Sequence, residues 1–353
     1  VAGLKCASEA ARAGSTAQSA VGLAYVGVLA GLFQIDRLTM TYFHRSLAIA
    51  EEVGDPSAIA RHWQLRAMQR AGCGIWIHDE LEAATRFFER TADRHEYEVS
   101  VTVKALIRTY HGDYEAARSL YEELVRSARS RSIQHTVWGV YKLGELMLLE
   151  DGRHDEALPS QLEALDLLRI EAEEPTEAAV GFLVGTIRHR QGDAAAASDT
   201  IHASMQRLND SPPNTHGMLM AYTFGIWTML DIQEADPSPE NRRRLRFAIR
   251  QMRVFTFLFP FAKARLLLFR ARDLLQRGKA AKAEKLLTKA EALGTERQMA
   301  LDVALVKAVR DDADADAALE ALGASWFVSW RRRSGRQNER GRPPGEPASS
   351  AIV

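Results

Sequence analysis

The ten histidines and two cysteines offer the most chemistry, and their spacing withholds it. No His-x3-His pair and no His-Glu-x-x-His string occurs, and Cys6 and Cys73 each stand alone. A zinc site gathers its ligands at short spacings, so no metal centre is expected. No G-x-S-x-G elbow marks a nucleophile. No G-x-x-x-x-G-K-[ST] loop is present to cradle phosphates with backbone N–H groups and a lysine. The sequence therefore predicts no catalytic residue, no cofactor and no enzyme activity of its own. Cys73, in RAGCGIW, reads as a small buried residue at a helix end. Asp311–Asp316 (DDADAD) lacks the glycine and terminal glutamate of a calcium loop and reads as the acidic start of a short helix, 314–322.

The densest charge is cationic. Arg242, Arg243, Arg244, Arg246, Arg250 and Arg253 share one predicted helix, NRRRLRFAIRQMR, in which Leu245, Phe247, Ile249 and Met252 supply the buried positions. That pattern is either a solvated face or a patch for an acidic partner, with Asp231, Glu234, Asp236 and Glu240 nearby to neutralise part of it. The whole chain carries 46 basic and 46 acidic side chains, a formal net charge of zero. A dedicated polyanion binder carries a net basic field, so no nucleic-acid partner is expected.

The elements that would position any site emerge from internal repeats. Three segments share one frame: HGDYEAARSLYEEL from His111, DGRHDEALPSQLEAL from Asp151 and QGDAAAASDTIHASM from Gln191. Gly112, Gly152 and Gly192 recur at a spacing of 40 residues, and Ala117, Ala157 and Ala197 each follow five residues later. RGKAAKAEKLLTKAEAL is a fourth copy, with Gly278 and Ala283 in the same relation. The unit is helix A, a glycine turn, helix B. Glycine accepts the left-handed backbone that closes helix A, and alanine lets the two helix axes approach closely. Tyr121, Ile201 and Leu287 continue the apolar stripe of helix B.

Fainter pairs fill the rest: 20–33 with 36–53, 57–71 with 78–94, and 217–232 with 239–257. Pro260 precedes a last A helix, 261–277. The uncharged stretch 14–35 has polar ends and reads as a buried helix, so no membrane partner is expected. Two cysteines in 353 residues suit a reducing compartment, and the expected location is the cytoplasm. Residues 1–12 read as a B helix without its A partner, which implies a piece of a longer protein.

The glycine-to-alanine frame resembles the tetratricopeptide (TPR) family, with 40 residues per unit in place of the usual 34 and without the family's early tryptophan and closing proline. The resemblance implies an all-α superhelix of about seven pairs over 1–325, with stability spread over neighbouring interfaces and no single central core. YFHRSLAIAEEVGD (42–55), GDYEAARSLYEELVRSAR (112–129) and FPFAKARLLLFRARDLLQRGKAAKAEKLLTKAEALG (259–294) are similar to the C-terminal region of bacterial signalling proteins. Those proteins join a class III adenylate/guanylate cyclase or kinase module to an AAA-type ATPase and a TPR-like tail. The likeness implies a regulatory region that binds a protein or peptide, including its own catalytic modules. A free-standing adaptor and the tail of an ATPase-type transcriptional regulator are the alternatives.

In a TPR-like stack the A helices line a concave groove. Counting back from each glycine places Thr102, Thr109, Tyr110, Thr186, His189, Arg190, Arg272 and Gln276 there as partner-binding candidates. Residues 326–353, rich in arginine, glycine and proline, read as a disordered basic tail.

Overall fold

The computed structural model describes residues 14–340, and side chains as far as Arg333. Cys6 and the helix expected over residues 1–12 lie outside the described residues. Within them the chain forms seventeen α-helices. They pair as α1 (Ala17–Leu32) with α2 (Asp36–Val53), α3 (Pro56–Gly72) with α4 (His78–Arg90), α5 (Arg94–His111) with α6 (Tyr114–Ala128), and α7 (Ile133–Met147) with α8 (His154–Leu168). Four further pairs follow: α9 (Glu174–Arg190) with α10 (Ala194–Asp210), α11 (Leu219–Ala235) with α12 (Pro239–Leu258), α13 (Lys263–Gln276) with α14 (Ala280–Glu296), and α15 (Ala300–Arg310) with α16 (Ala315–Ala321). Helix α17 (Ser325–Arg340) ends the array. Each odd-numbered helix from α1 to α13 packs on its own partner and on the next odd-numbered helix, and α17 packs on α16. The result is an all-α solenoid with an inner layer of A helices and an outer layer of B helices.

The repeat frame has the physical basis its residues imply. Gly112, Gly152, Gly192 and Gly278 all take positive φ, between 69° and 94°. At Gly112 the backbone N–H returns to the carbonyl oxygens of Arg108 and Thr109, closing α5. The next residue starts helix B: the side chains of Asp113 and Asp193 accept from the backbone N–H of Ala116 and Ala196, satisfying donors that a helix start leaves open. Ala117, Ala157, Ala197 and Ala283 are all fully buried. The approach is close from the other side too, since a Cβ on Gly185 would stand 3.2 Å from the Ala197 carbonyl oxygen and 2.5 Å from Ile201. In the second copy the apolar stripe carries Gln161, buried and donating to the Tyr141 carbonyl oxygen at 3.0 Å.

Two expectations are corrected. The fold extends past residue 325, because SWFVSW begins a helix whose Trp326, Phe327 and Val328 are buried. The arginines that suggested a tail serve this helix: Arg331 bridges Asp311 and Asp316, and Arg332 reaches Asp316 and Glu320. Residues 341–353 of that expected tail lie outside the described residues. The second correction concerns the core. One large buried cluster runs from Ala60 to Val328, with three smaller ones apart from it at residues 20–107, and the last helices fold back across the inner face. Trp326 N–H donates to the Leu149 carbonyl oxygen at 3.0 Å, and Trp76 Nε1 to that of Arg297 at 3.0 Å. Gly112 belongs to this closure as well, since a Cβ there would lie 2.6 Å from Leu322.

Candidate ligand pocket on the inner face

Closure leaves one largely apolar cavity of about 270 Å³ on the inner face. Its walls come from α1, α3, α5 and α7, the A helices of four successive pairs, and its roof from residues 214–217 and 258–259. Val28, Met68, Leu106, Trp138 and Phe259 supply much of the apolar surface. The roof is held down by Tyr110, whose hydroxyl donates to the His216 carbonyl oxygen at 2.8 Å and lies 3.0 Å from His216 Nδ1.

Polar groups are few and mostly tied. Lys142 Nζ donates to Glu145 Oε1 at 2.6 Å and to the Gly217 carbonyl oxygen. Both members of this ion pair are buried. Burial lowers the lysine's pKa and raises the glutamate's, and the pairing opposes both shifts. Burial, with the Lys142 charge beside it, pulls His216 down to about 4, so at neutral pH it is an uncharged hydrogen-bonding partner. Burial also raises the Cys73 thiol, which keeps it protonated and a poor nucleophile. Trp138 Nε1 donates to Glu173 at 3.0 Å. Gln69 is the exception. It is 8% exposed, its amide nitrogen lies 3.3 Å from Cys73 Sγ, and its Oε1 has no hydrogen-bond partner among the described residues. The lining can therefore hold an apolar group and accept one hydrogen bond from it.

Of the groove candidates, Thr102 lines this pocket. Thr109 and Thr186 are buried and donate to carbonyl oxygens of their own helices, Ala105 and Phe182. Tyr110 is the buried strut under the roof. His189 and Arg190 line a second, polar cavity beneath α17. Arg272 is 4% exposed, its guanidinium 4.6 Å from the ring centroids of both Trp227 and Trp330, and it pairs with Asp231 and Glu234. Gln276 donates to the Leu230 carbonyl oxygen at 2.9 Å. The open groove expected for these residues is thus corrected for Thr109, Tyr110, Thr186 and Arg272, which are buried. Thr109 lies beside Tyr121 of its own partner helix, and Thr228 of α11 donates to Thr186. His216 covers Tyr110, and Trp330 of α17 covers Arg272. In the arginine cluster of α12, Arg244 is engaged by Asp199 and Glu240. Arg242, Arg243, Arg246, Arg250 and Arg253 are exposed.

Lys142, Glu145, Gln69 and His216 belong to no motif or repeat position of the sequence. A signal for two of them exists: Lys142 and Glu145 are a lone charged pair inside the apolar run VWGVYKLGELMLL. A second buried node lies where Glu98 of α5 accepts from Ser127 of α6 at 2.7 Å and meets His135 of α7 at 2.7 Å. It ties three successive helices together. Among the described residues no group of acidic, histidine or cysteine side chains is arranged to hold a metal ion, and no helix is long and apolar enough to cross a membrane.

Fold and pocket together define an all-α solenoid of helix–turn–helix repeats that encloses a cavity of ligand size. The chain matches no protein-family model, and no curated protein matches it.

Proposed function

We propose that this chain is a TPR-like protein-interaction and regulatory module. In this reading it is the C-terminal sensor or scaffold region of an ATPase- or cyclase-type signalling protein of the cytoplasm. Its inner pocket takes an apolar group of a ligand or partner peptide.

The observation that carries the reading is the pocket's construction. Its walls belong to four successive A helices, so an occupant touches four helix pairs at once. Binding there favours one relative arrangement of the pairs, and such a bias is what a regulatory region passes to attached modules. The chemistry of the lining favours binding over turnover: Lys142 is tied to Glu145, His216 is neutral, and Cys73 stays a thiol.

The reading is tested with nucleotide. Purified chain incubated with ATP or GTP is expected to hydrolyse neither one. Turnover that copurifies with the chain and disappears with it on immunodepletion would contradict a purely regulatory role.

A further inference from the structure

The second cavity, about 290 Å³, lies where α17 crosses α9 and α11. Arg190 lines it. Its Nη1 donates to the Leu148 carbonyl oxygen at 2.7 Å. The ring of Trp326 stacks on the guanidinium, 3.9 Å from centroid to Cζ, with Phe224 at 5.5 Å. These contacts fix the plane of the group and one of its nitrogens. Nε and Nη2 are buried and have no hydrogen-bond partner among the described residues.

The same protein shows what that edge of an arginine holds. Arg265 Nε and Nη2 donate to the two carboxylate oxygens of Asp302, 2.9 Å each, in a fully buried bidentate pair. The two carboxylates beside Arg190, Asp231 and Asp151, make no hydrogen bond to it, and each has one oxygen engaged by other donors. Asp231 accepts from Arg272 and from Trp330 Nε1, and Asp151 from Ser329. His189 Nδ1, in the same cavity wall, is also buried without a partner. Arg333 is exposed at the cavity. Buried guanidinium donors left unpaired are costly, and a bidentate oxyanion is the ligand that matches their geometry.

We infer that this cavity binds an oxyanion, a phosphoryl or carboxylate group, on the Nε–Nη2 edge of Arg190, with His189 as a further donor and Arg333 at its mouth. This site is independent of the apolar pocket and does not rest on the regulatory reading.

The test is calorimetric titration of the full chain with inorganic phosphate and, separately, acetate, with sodium chloride holding ionic strength constant. Saturable binding at one site per chain is expected, and the tighter of the two anions identifies the source. Arg190→Lys keeps the charge and loses the edge, so affinity should fall about ten-fold or more, the worth of one charge-assisted hydrogen bond. Should that variant not fold, Arg333→Gln decides, since its side chain is exposed; a several-fold loss is expected. No saturable heat from either anion would overturn the inference. So would a folded Arg190→Lys chain that binds like wild type, or, where that variant does not fold, wild-type affinity in Arg333→Gln.

Discussion

The indole N–H of Trp76 donates to the carbonyl oxygen of Arg297, 3.0 Å away across 221 residues of chain. This bond joins the turn after α3 to the turn after α14, so the solenoid touches its own far end. An open superhelix would present a groove; this closed one presents cavities, each lined by residues far apart in the chain.

The repeat frame predicts that Ala157 tolerates nothing larger. It is fully buried at the crossing of α8 with α7. Ala157→Leu should cost about 1–3 kcal/mol by overpacking. A denaturant midpoint identical to wild type would show that the alanine does not mark a crossing.

Gly112 and Gly192 share the left-handed backbone, but only Gly112 also abuts the returning helices. Gly192→Ala should lose about 1 kcal/mol for its backbone alone. Gly112→Ala should lose measurably more, because its methyl meets Leu322. Equal losses in chemical denaturation would argue that closure adds nothing at this point.

Helix α17 should be part of the folded unit. Trp326 is buried against Arg190, and Trp326→Ala should cost about 3–5 kcal/mol. A chain truncated after Ala324 should melt well below the full chain. If the truncated chain melted at the wild-type temperature, the fold would end where composition alone suggested.

Much of this architecture is legible in the sequence because its causes are local. A glycine that ends a helix and an alanine five residues later each act within one pair, so they repeat with a period that can be read. Closure is not local. Nothing in the types of Trp76 and Arg297 announces that they meet, and no period spans 221 residues. Tyr110 and Arg272 do face inward, but their residue types say nothing of the His216 segment and Trp330 that cover them; Thr109 and Thr186 instead face neighbouring helices of the stack. Arg331 and Arg332 hid α17 because their counter-charges, Asp311, Asp316 and Glu320, lie in or just after the acidic stretch read as a helix start. The apolar run SWFVSW was the visible signal. The Lys142–Glu145 pair stands in the apolar run 137–149, but an i, i+3 spacing alone does not distinguish a buried pair from a solvated one.

Stability should fall in mild acid. The folded pKa of His216, about 4, lies below its ordinary value of 6.5, so the unfolded chain binds the extra proton between those values. The stabilisation is complete above pH 6.5 and is lost as pH falls toward 4. His62, also pulled down to about 4, mainly by burial, acts in the same direction. Denaturant midpoints between pH 7 and 5 should decline, and His216→Gln should flatten the slope by one proton's worth. An unchanged slope in that variant would place the titration elsewhere.

The central claim is that the inner pocket holds an apolar ligand, and a neutral fluorescent probe tests it most directly. N-phenyl-1-naphthylamine should show saturable fluorescence enhancement at one site per wild-type chain. Thr102 lines the pocket and is partly buried, so Thr102→Trp should fill the space and abolish that enhancement while far-UV circular dichroism stays at wild type. Non-saturable enhancement in the wild type, or undiminished binding by a folded Thr102→Trp chain, would contradict the account.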